Sequence, residues 1–397
     1  MTLSWEEARR LAYEAGRDAR LAPVDLPLDR ADGATLATPL TTLTELPAFP
    51  TSSVDGYAVR GEAPWKVVGE VLAGSVPGTL GPGEALRIAT GAMVPAGTEH
   101  IIRVEDSTTP EPGYVTGTPR RSPDWRNPGE EAGKGEELLP AGTPVTPGVV
   151  GLAASCGYDR LLVHPRPSAA LLVFGDELLV TGTPGNGRVR DSLGPSFPAW
   201  LRRLGADPVP GLAPVGPIQD TLQAHISALR RGLEAATVVC TTGGTMHGPV
   251  DHLHPALEAL GASYVVNTVK VRPGFPMLLA RVGDGWVAGL PGNPQSAVIA
   301  LFTLVVPLIA GLTGRRLPEP PRVRLAAPVP GRGDFTHLAL VRVTPTGEAY
   351  PVAYTGSAML RGVAVASGFA VIPPGTQGQV GDEVELLPLS LMPGELP

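Results

Sequence analysis

The sequence predicts a multidomain chain of class α/β plus β, laid out in four parts. Three observations carry this. From about Ser168, apolar strand-like runs alternate with amphipathic helical runs, the texture of a doubly wound α/β domain. On either side lie short β-like runs separated by Gly/Pro turns. At 397 residues, 43% of them hydrophobic, the chain is long enough for roughly two to four cores.

Residues 1–46 read as helix leading into extended chain, with Ser4 and Glu7 forming a capping box that opens an amphipathic helix. A helical and extended part is expected again over 130–165. There "VTPGVVGLAASCG" predicts a helix with Thr146 as N-cap, Pro147 in the first turn and Gly157 as the stop. Between them, residues 47–129 predict a β-rich domain, with runs such as "WKVVGEVLAG" and "EALRIATGA".

The α/β domain is expected over 166–317. "SAALLVFG" and "ATVVCTTGG" are continuous apolar strands of the kind buried on both faces. "DTLQAHISALRRGLEAA" places Leu222, Ile226, Leu229 and Leu233 on one helical stripe, with Asp220 and Gln223 as a capping box. "HLHPALEALG" predicts a helix ending at Gly261, and "SYVVNTVKV", "MLLARV" and "WVAGLPG" predict further strands. After the proline-rich linker "GRRLPEPP", residues 318–397 predict a small β-barrel, with a sandwich as the alternative.

Formal charge of −7 and a pI near 5.6 argue against a nucleic-acid backbone as partner. Glycine (50) and proline (45) are abundant but have no collagen-like period, so they read as tight turns. Cys156 and Cys240 sit in apolar surroundings, as free thiols do in a reducing cytoplasm, which is the expected location. The first twenty residues lack a basic start followed by an apolar block, so no secretory signal is expected. The run from Ala297 to Leu312 is short for a membrane span, carries Pro307 and predicts a buried helix. No membrane partner is expected.

Ligands of open α/β sheets bind beyond the carboxyl ends of strands. Three turns belong there: "FGDEL", "TTGGTMHGPVD" and "LPGNP". Gly243 and Gly244 let backbone N–H groups approach an anionic oxygen, and Thr241, Thr242 and Thr245 add hydroxyls. The loop matches neither of the phosphate fingerprints with fixed glycine spacing, and a plain glycine turn is the alternative. Asp176, Glu177, Asp191 and Asp251 cluster around this end of the sheet, and carboxylates beside a phosphate call for a hard divalent cation such as Mg²⁺. Helix capping by Asp176 or Asp251 is the competing role. His247, His252 and His254 lack a matching second set of ligands, so no metal site is expected on them.

Beyond this reading of the residues, "FPTSSVDGYAVRG", "LRIATGAMVPAGTEHIIRVED", "RNPGEEAGKGEELLPAG", "TTGGTMHGPVD", "GLPGNPQSA" and "TGSAMLRGVAVASGFAVIPPG" stand in family order along nearly the whole chain. In them the chain resembles the molybdopterin molybdenumtransferase family, MoeA and the homologous E domain of gephyrin. The resemblance implies an elongated, four-part homodimer whose α/β domain is similar to the molybdopterin adenylyltransferase fold. It implies an active cleft between that domain of one subunit and the β-rich domain of the other. The implied reaction takes adenylyl-molybdopterin and molybdate, inserts molybdenum into the dithiolene, and releases AMP in the presence of Mg²⁺. Molybdopterin adenylyltransferase and molybdoenzyme maturation proteins are further partners to expect.

Carried over by motif, the resemblance implies catalytic roles for Asp55, Thr90, Glu131, Glu177 and Asp251. It implies substrate binding by Thr241, Gly243, Gly244, Thr245, Arg272, Pro291 and Pro294, and metal ligation by Asp176, Asp191 and Asp251. Turn-shaping is the competing role for Asp55, Thr90 and the two prolines, with Pro294 at a helix start. The chain departs from the family pattern at Phe174, where a threonine is usual, and at Leu193, where a polar amide is usual. It departs again at Phe275, the second cation of a Lys-Pro-Gly-Lys-Pro motif that here reads "RPGFP", and at Met246-His247 in the loop. Arg272 keeps the first cation, and Arg190 is a candidate to replace the second. Two alternatives follow: a catalytically weakened pterin-binding or scaffolding member, and a variant that inserts tungstate.

Overall fold

The computed structural model describes residues 2–245 and 251–389, so Met246 and His247 lie outside the described residues. The chain divides into two compact units, one of 39–140 with 148–160, the other of 1–38, 141–147 and 161–397.

The smaller unit is built on a six-stranded sheet. Its strands are β1 (Gly56–Val59), β2 (Trp65–Val71), β3 (Glu84–Ile88), β4 (His100–Arg103), β5 (Ser107–Thr108) and β6 (Tyr114–Gly117), in the order β4-β1-β3-β2-β6-β5. Successive side chains point to opposite faces of a strand. Ala58 and Ile101 accordingly enter one apolar cluster with Ile88 and Val71, while Val59 and Ile102 enter another with Trp65 and Val115. The sheet is therefore packed on both faces. Helix α2 (Pro147–Ser155) stops at Gly157, which takes φ 96, as its sequence predicts.

In the larger unit, α1 (Trp5–Asp18) starts where the sequence says, with the Ser4 hydroxyl accepting from the Glu7 N–H. The α/β sheet comprises β7 (Ser168–Phe174), β8 (Asp207–Pro208), β9 (Val215–Ile218), β10 (Val238–Thr242), β11 (Ser263–Asn267), β13 (Leu278–Val282) and β14 (Gly285–Leu290). A short intervening strand, β12 (Val271–Arg272), does not belong to it. The order is β8-β7-β10-β14-β13-β11, with β9 also on β7; β7 to β10 and β14 are parallel, and β13 and β11 close the far edge antiparallel. Helices cover both faces, which is why β7 and β10 can be apolar throughout. α4 (Leu222–Ala235) and α5 (Leu253–Ala259) lie on one side, and α3 (Phe197–Arg203) with the 294–312 helix lies on the other.

Two local expectations are corrected. Helix α4 is capped by Thr221, whose hydroxyl accepts from the Ala224 N–H, and not by Asp220. Its buried face runs through His225, Ala228, Leu229 and Gly232, leaving Leu222 exposed. The shift has a packing cause, because Gly232 lets Val239 of β10 approach the helix backbone. The long apolar run is a continuous helix, α6 (Pro294–Ala300), a π segment (Leu301–Val305) and α7 (Val306–Leu312). The wider π turn lies over Thr303, the residue whose carbonyl the Pro307 ring would meet in a regular helix. This 19-residue stretch is long and apolar enough to cross a membrane, and its residues from Gln295 to Leu312 are buried in the protein.

The C-terminal part is a closed five-stranded barrel of β15 (Arg322–Leu325), β16 (Thr336–Val343), β17 (Glu348–Pro351), β18 (Gly368–Ile372) and β19 (Glu383–Pro388). The circuit runs β16-β17-β15-β19-β18 and closes because β18 pairs back onto β16. Strand β12 adds to it in parallel, Val271 opposite Thr336 and Arg272 opposite His337. The sequence expects 263–271 to be one strand of the α/β sheet; the structure turns it out at Thr268, which takes φ 67, and gives its end to the barrel.

Candidate functional site

The register of three parallel strands builds the site. Val173 pairs with Thr242 and Thr242 with Leu290, so β7, β10 and β14 end side by side. Their loops therefore meet. Gly243 sits in van der Waals reach of Gly292, and its N–H donates to the Leu290 carbonyl at 3.0 Å. Gly243 and Gly244 take φ 90 and 65, the left-handed region that glycine enters without steric cost.

Beyond these strand ends lies a cavity of about 650 Å³. Glu177, Asp191, Asp251, Gly243, Gly244, Thr245, Pro291 and Pro294 all line it, so eight residues expected at one site from four separate segments are brought together. Arg190 lines it as well. Thr241 does not: it is wholly buried in β10, and the next residue, Thr242, faces the cavity instead. Asp176 is outside the lining; its N–H points to the Asp220 carboxylate at 3.3 Å. No helix follows Asp176, so it has no capping role there, while Asp251 directly precedes His252, the N-cap residue of α5.

The Asp191 carboxylate is held in place, its Oδ1 accepting from the N–H groups of Leu193 and Gly194 at 3.0 and 2.9 Å. Among the described residues no cluster of three or more His, Cys, Asp or Glu side chains could hold a metal ion alone. Three carboxylates in the lining fit Mg²⁺ that is completed by phosphate oxygens, the usual protein arrangement for this ion, better than an all-protein cage. His254 Nε2 is 3.3 Å from Asn267 Oδ1, and the His252 ring meets that of His225 edge to face with centroids 5.6 Å apart.

Sequence reasoning missed His225. Its ring stacks on Phe174 with centroids 3.8 Å apart and planes 9° from parallel, beneath the glycine loop. Nδ1 faces the Thr221 carbonyl at 2.9 Å, and Nε2 has no hydrogen-bond partner among the described residues. Burial lowers its pKa. The unfolded chain then binds a proton that the folded chain refuses once pH drops below about 6.5. Stability accordingly falls from that pH downward, by up to about 1.4 kcal/mol per pH unit, until the folded pKa is reached. His225→Leu is expected to flatten this slope, read as urea midpoints at pH 7.5, 6.5 and 5.5.

A second cavity, of about 1000 Å³, shares Pro276, Pro291 and Asn293 with the first. Arg272, Arg332 and His337 line it, with the hydroxyls of Ser296, Thr355 and Ser357 and, among the described residues, no carboxylate. The resemblance implies substrate binding by Arg272, and the β12–β16 pairing puts it in this neighbouring cavity. Arg332 and Phe335 carry no signal in their own neighbourhoods that marks them, because only that pairing brings them to Arg272; Ser357 lies within the C-terminal motif, and its carbonyl accepts from the Gln295 N–H at 3.0 Å.

In the smaller unit Asp55 and Thr90 are joined directly. The Asp55 Oδ1 accepts from the Thr90 N–H at 2.7 Å and from its hydroxyl at 3.0 Å. These bonds hold the Asp55 carboxyl below the usual carboxylate range. The acid lines a cavity of about 570 Å³ with Glu70, Arg87 and Glu105. Thr90→Val removes one of the two bonds and is expected to move the Asp55 pKa back toward the ordinary value, as measured by carboxyl ¹³C NMR titration. Glu131 is exposed elsewhere in this unit, its N–H on the Leu46 carbonyl at 2.9 Å, and does not line that cavity.

Comparison with known proteins agrees with this geometry. Residues 3–157 match the model of the MoeA N-terminal region (domain I and II), 170–311 that of a probable molybdopterin binding domain, and 322–389 that of the MoeA C-terminal region (domain IV). Fold and site thus define a multidomain protein with MoeA regions on either side of a molybdopterin-binding type of α/β domain. The molybdopterin molybdenumtransferase of Bacillus subtilis (strain 168) is 32% identical over 375 residues, 89% of this chain and 86% of that protein. The one from Staphylococcus aureus (strain COL) is 26% identical over 390 residues, 94% and 92% of the two chains. The chain belongs to the molybdopterin molybdenumtransferase family. The crystal structure of the molybdopterin biosynthesis MoeA protein from Pyrococcus horikosii superposes with a TM-score of 0.75 at 25% identity, over 97% of this chain and 98% of that one.

Proposed function

We propose that this chain inserts molybdate into adenylyl-molybdopterin and releases AMP and the molybdenum cofactor. As a family member it is an enzyme of molybdenum cofactor biosynthesis. The observation that carries the finer reading is the pair of cavities that share one wall, the first with a glycine loop and carboxylates, the second basic and free of carboxylates. The first suits the phosphates of the pterin ligand, and the second suits a tetrahedral oxyanion.

In this reading the chain's own residues divide the work. Gly244 and Thr245 offer backbone and hydroxyl to a phosphate oxygen, while the N–H of Gly243 is already given to Leu290. Glu177, Asp191 and Asp251 face the phosphates across the cavity. Mg²⁺, when bound, supplies the positive charge that lets phosphate oxygens and these carboxylates share one space. Arg272 and Arg332 hold molybdate beside the pterin, with Asn293 and the two prolines on the common wall setting the distance. Water adds across the phosphoanhydride between AMP and the pterin phosphate, and the two dithiolene thiols bind molybdenum as their protons leave with one molybdate oxygen as water. Asp55 and Thr90 are assigned to catalysis on the family resemblance, as are Glu131, the homodimer and the cytoplasmic location. The division of the chain at 1–46 with 130–165, 47–129, 166–317 and 318–397 belongs to the same proposal.

The test is AMP release from adenylyl-molybdopterin by the purified protein with Mg²⁺, with and without molybdate. Release that depends on molybdate is expected. Binding of the pterin without release, in the presence of molybdate, would instead identify the chain as a carrier or scaffold.

A further inference from the structure

Phe275 stands where the family pattern expects a second cation, and the structure shows what this ring does. The turn after β12 brings it back over the strand, with the Val269 N–H donating to the Phe275 carbonyl at 3.1 Å. Gly274 makes this turn at φ 112, packed against Ile299 and Met277. From the other side, the β12–β16 pairing delivers Phe335, the residue before Thr336. The Arg272 guanidinium lies 4.5 Å from the centroid of Phe335 and 5.4 Å from that of Phe275. The two rings meet edge to face, centroids 5.8 Å apart at 71°. Among the described residues Arg272 makes no ion pair and no side-chain hydrogen bond, so these rings are the groups that fix it. It opens on the cavity whose lining has no carboxylate.

We propose that Phe275 and Phe335 form an aromatic clamp that positions Arg272 to grip the tetrahedral oxyanion, so that one immobilised guanidinium replaces a pair of mobile cations. A guanidinium stacks on aromatic faces and still presents its planar fork of donors, whereas an ammonium is a flexible point charge with no such fork. Side-chain freedom lost before the ligand arrives is freedom that binding need not remove. Phe275 is thereby a positioning residue and not a lesion in the site. This inference rests on the reading that the basic cavity receives molybdate.

The experiment titrates full-length protein with molybdate by calorimetry and measures KM for molybdate and for adenylyl-molybdopterin separately. Phe275→Leu and Phe335→Leu are each expected to weaken molybdate binding by about two- to fivefold, and the double variant by about tenfold, with KM for the pterin unchanged. Mono-, di- and trifluorinated phenylalanine at position 335 withdraws the ring's negative face with little change of shape. Molybdate binding is expected to fall step by step along that series, which a packing role alone would not produce. A flat fluorine series, while Arg272→Ala abolishes binding, overturns the clamp and leaves the cavity assignment standing. Arg272→Ala binding molybdate as the unchanged protein does overturns both.

Discussion

Asp251→Asn is expected to reduce AMP release by at least about a hundredfold at saturating Mg²⁺, with the fold intact. Asp251 lines the cavity at the strand ends with the glycine loop, and Glu177 and Asp191 are the other two acids there. Three carboxylates beside a diphosphate ester are repulsive in water and more so in a cavity, unless a divalent cation lies between them. The amide keeps the shape and loses the charge, so it removes cation binding without removing volume. A group that stabilises charge developing in the transition state is worth about 10²- to 10³-fold in rate. The charge argument makes a second, opposite prediction for binding. In Mg²⁺-free buffer the variant should bind adenylyl-molybdopterin at least as tightly as the unchanged protein, because one repulsive charge is gone. Parallel rate assays and Mg²⁺-free binding titrations check both halves. Unchanged turnover would remove Asp251 from the mechanism.

Gly311→Ala is expected to destabilise the larger unit by about 3 kcal/mol. Helices α1 and α7 cross with glycine against glycine. A Cβ on Gly311 would overlap the Tyr13 carbonyl oxygen and the Arg17 nitrogen, and one on Gly16 would overlap the Leu308 carbonyl oxygen. The obstacles are backbone atoms, which cannot swing aside as a side-chain tip can. The helices would have to part, and the packing of Trp5, Ala8 and Ala12 against the buried 294–312 helix would loosen with them. For a unit of this size the midpoint should fall by roughly 6–12 °C. Calorimetric scans of the variant and the unchanged protein measure it. A shift within a degree would show that the crossing has slack that these backbone contacts do not reveal.

Where the sequence was legible, one physical signal dominated locally. The runs at 168–174 and 238–242 are apolar throughout because helices cover both faces of the sheet, and no competing pattern obscures them. The Ser4 cap and the Gly157 stop were legible because each is set by one residue's own chemistry. The phosphate cavity could be assembled from its strand-end turns since parallel strands of one sheet end together. Legibility failed where a neighbour decided. Thr221 rather than Asp220 caps α4, and His225 rather than Leu222 faces inward, because the close approach of Val239 fixes the helix's rotation. Thr241 and Thr242 are chemically alike, and only strand alternation chooses which faces the cavity. The neighbours of Arg272 were not legible, because Thr268 turns its strand out of the sheet and onto the barrel. Phe275 looked like a missing charge for the same reason, since its partner ring lies 60 positions away at Phe335.

The central claim is that AMP release and molybdenum insertion are one coupled event in this chain. It is tested most directly by counting both products in a single reaction with adenylyl-molybdopterin, Mg²⁺ and molybdate: AMP by chromatography, and pterin-bound molybdenum by elemental analysis of the separated cofactor. The account predicts that the two amounts rise together in a ratio of about one to one, and that neither appears when molybdate is omitted. AMP accumulating without pterin-bound molybdenum would contradict it, and would show a phosphodiesterase-like activity in place of an insertase.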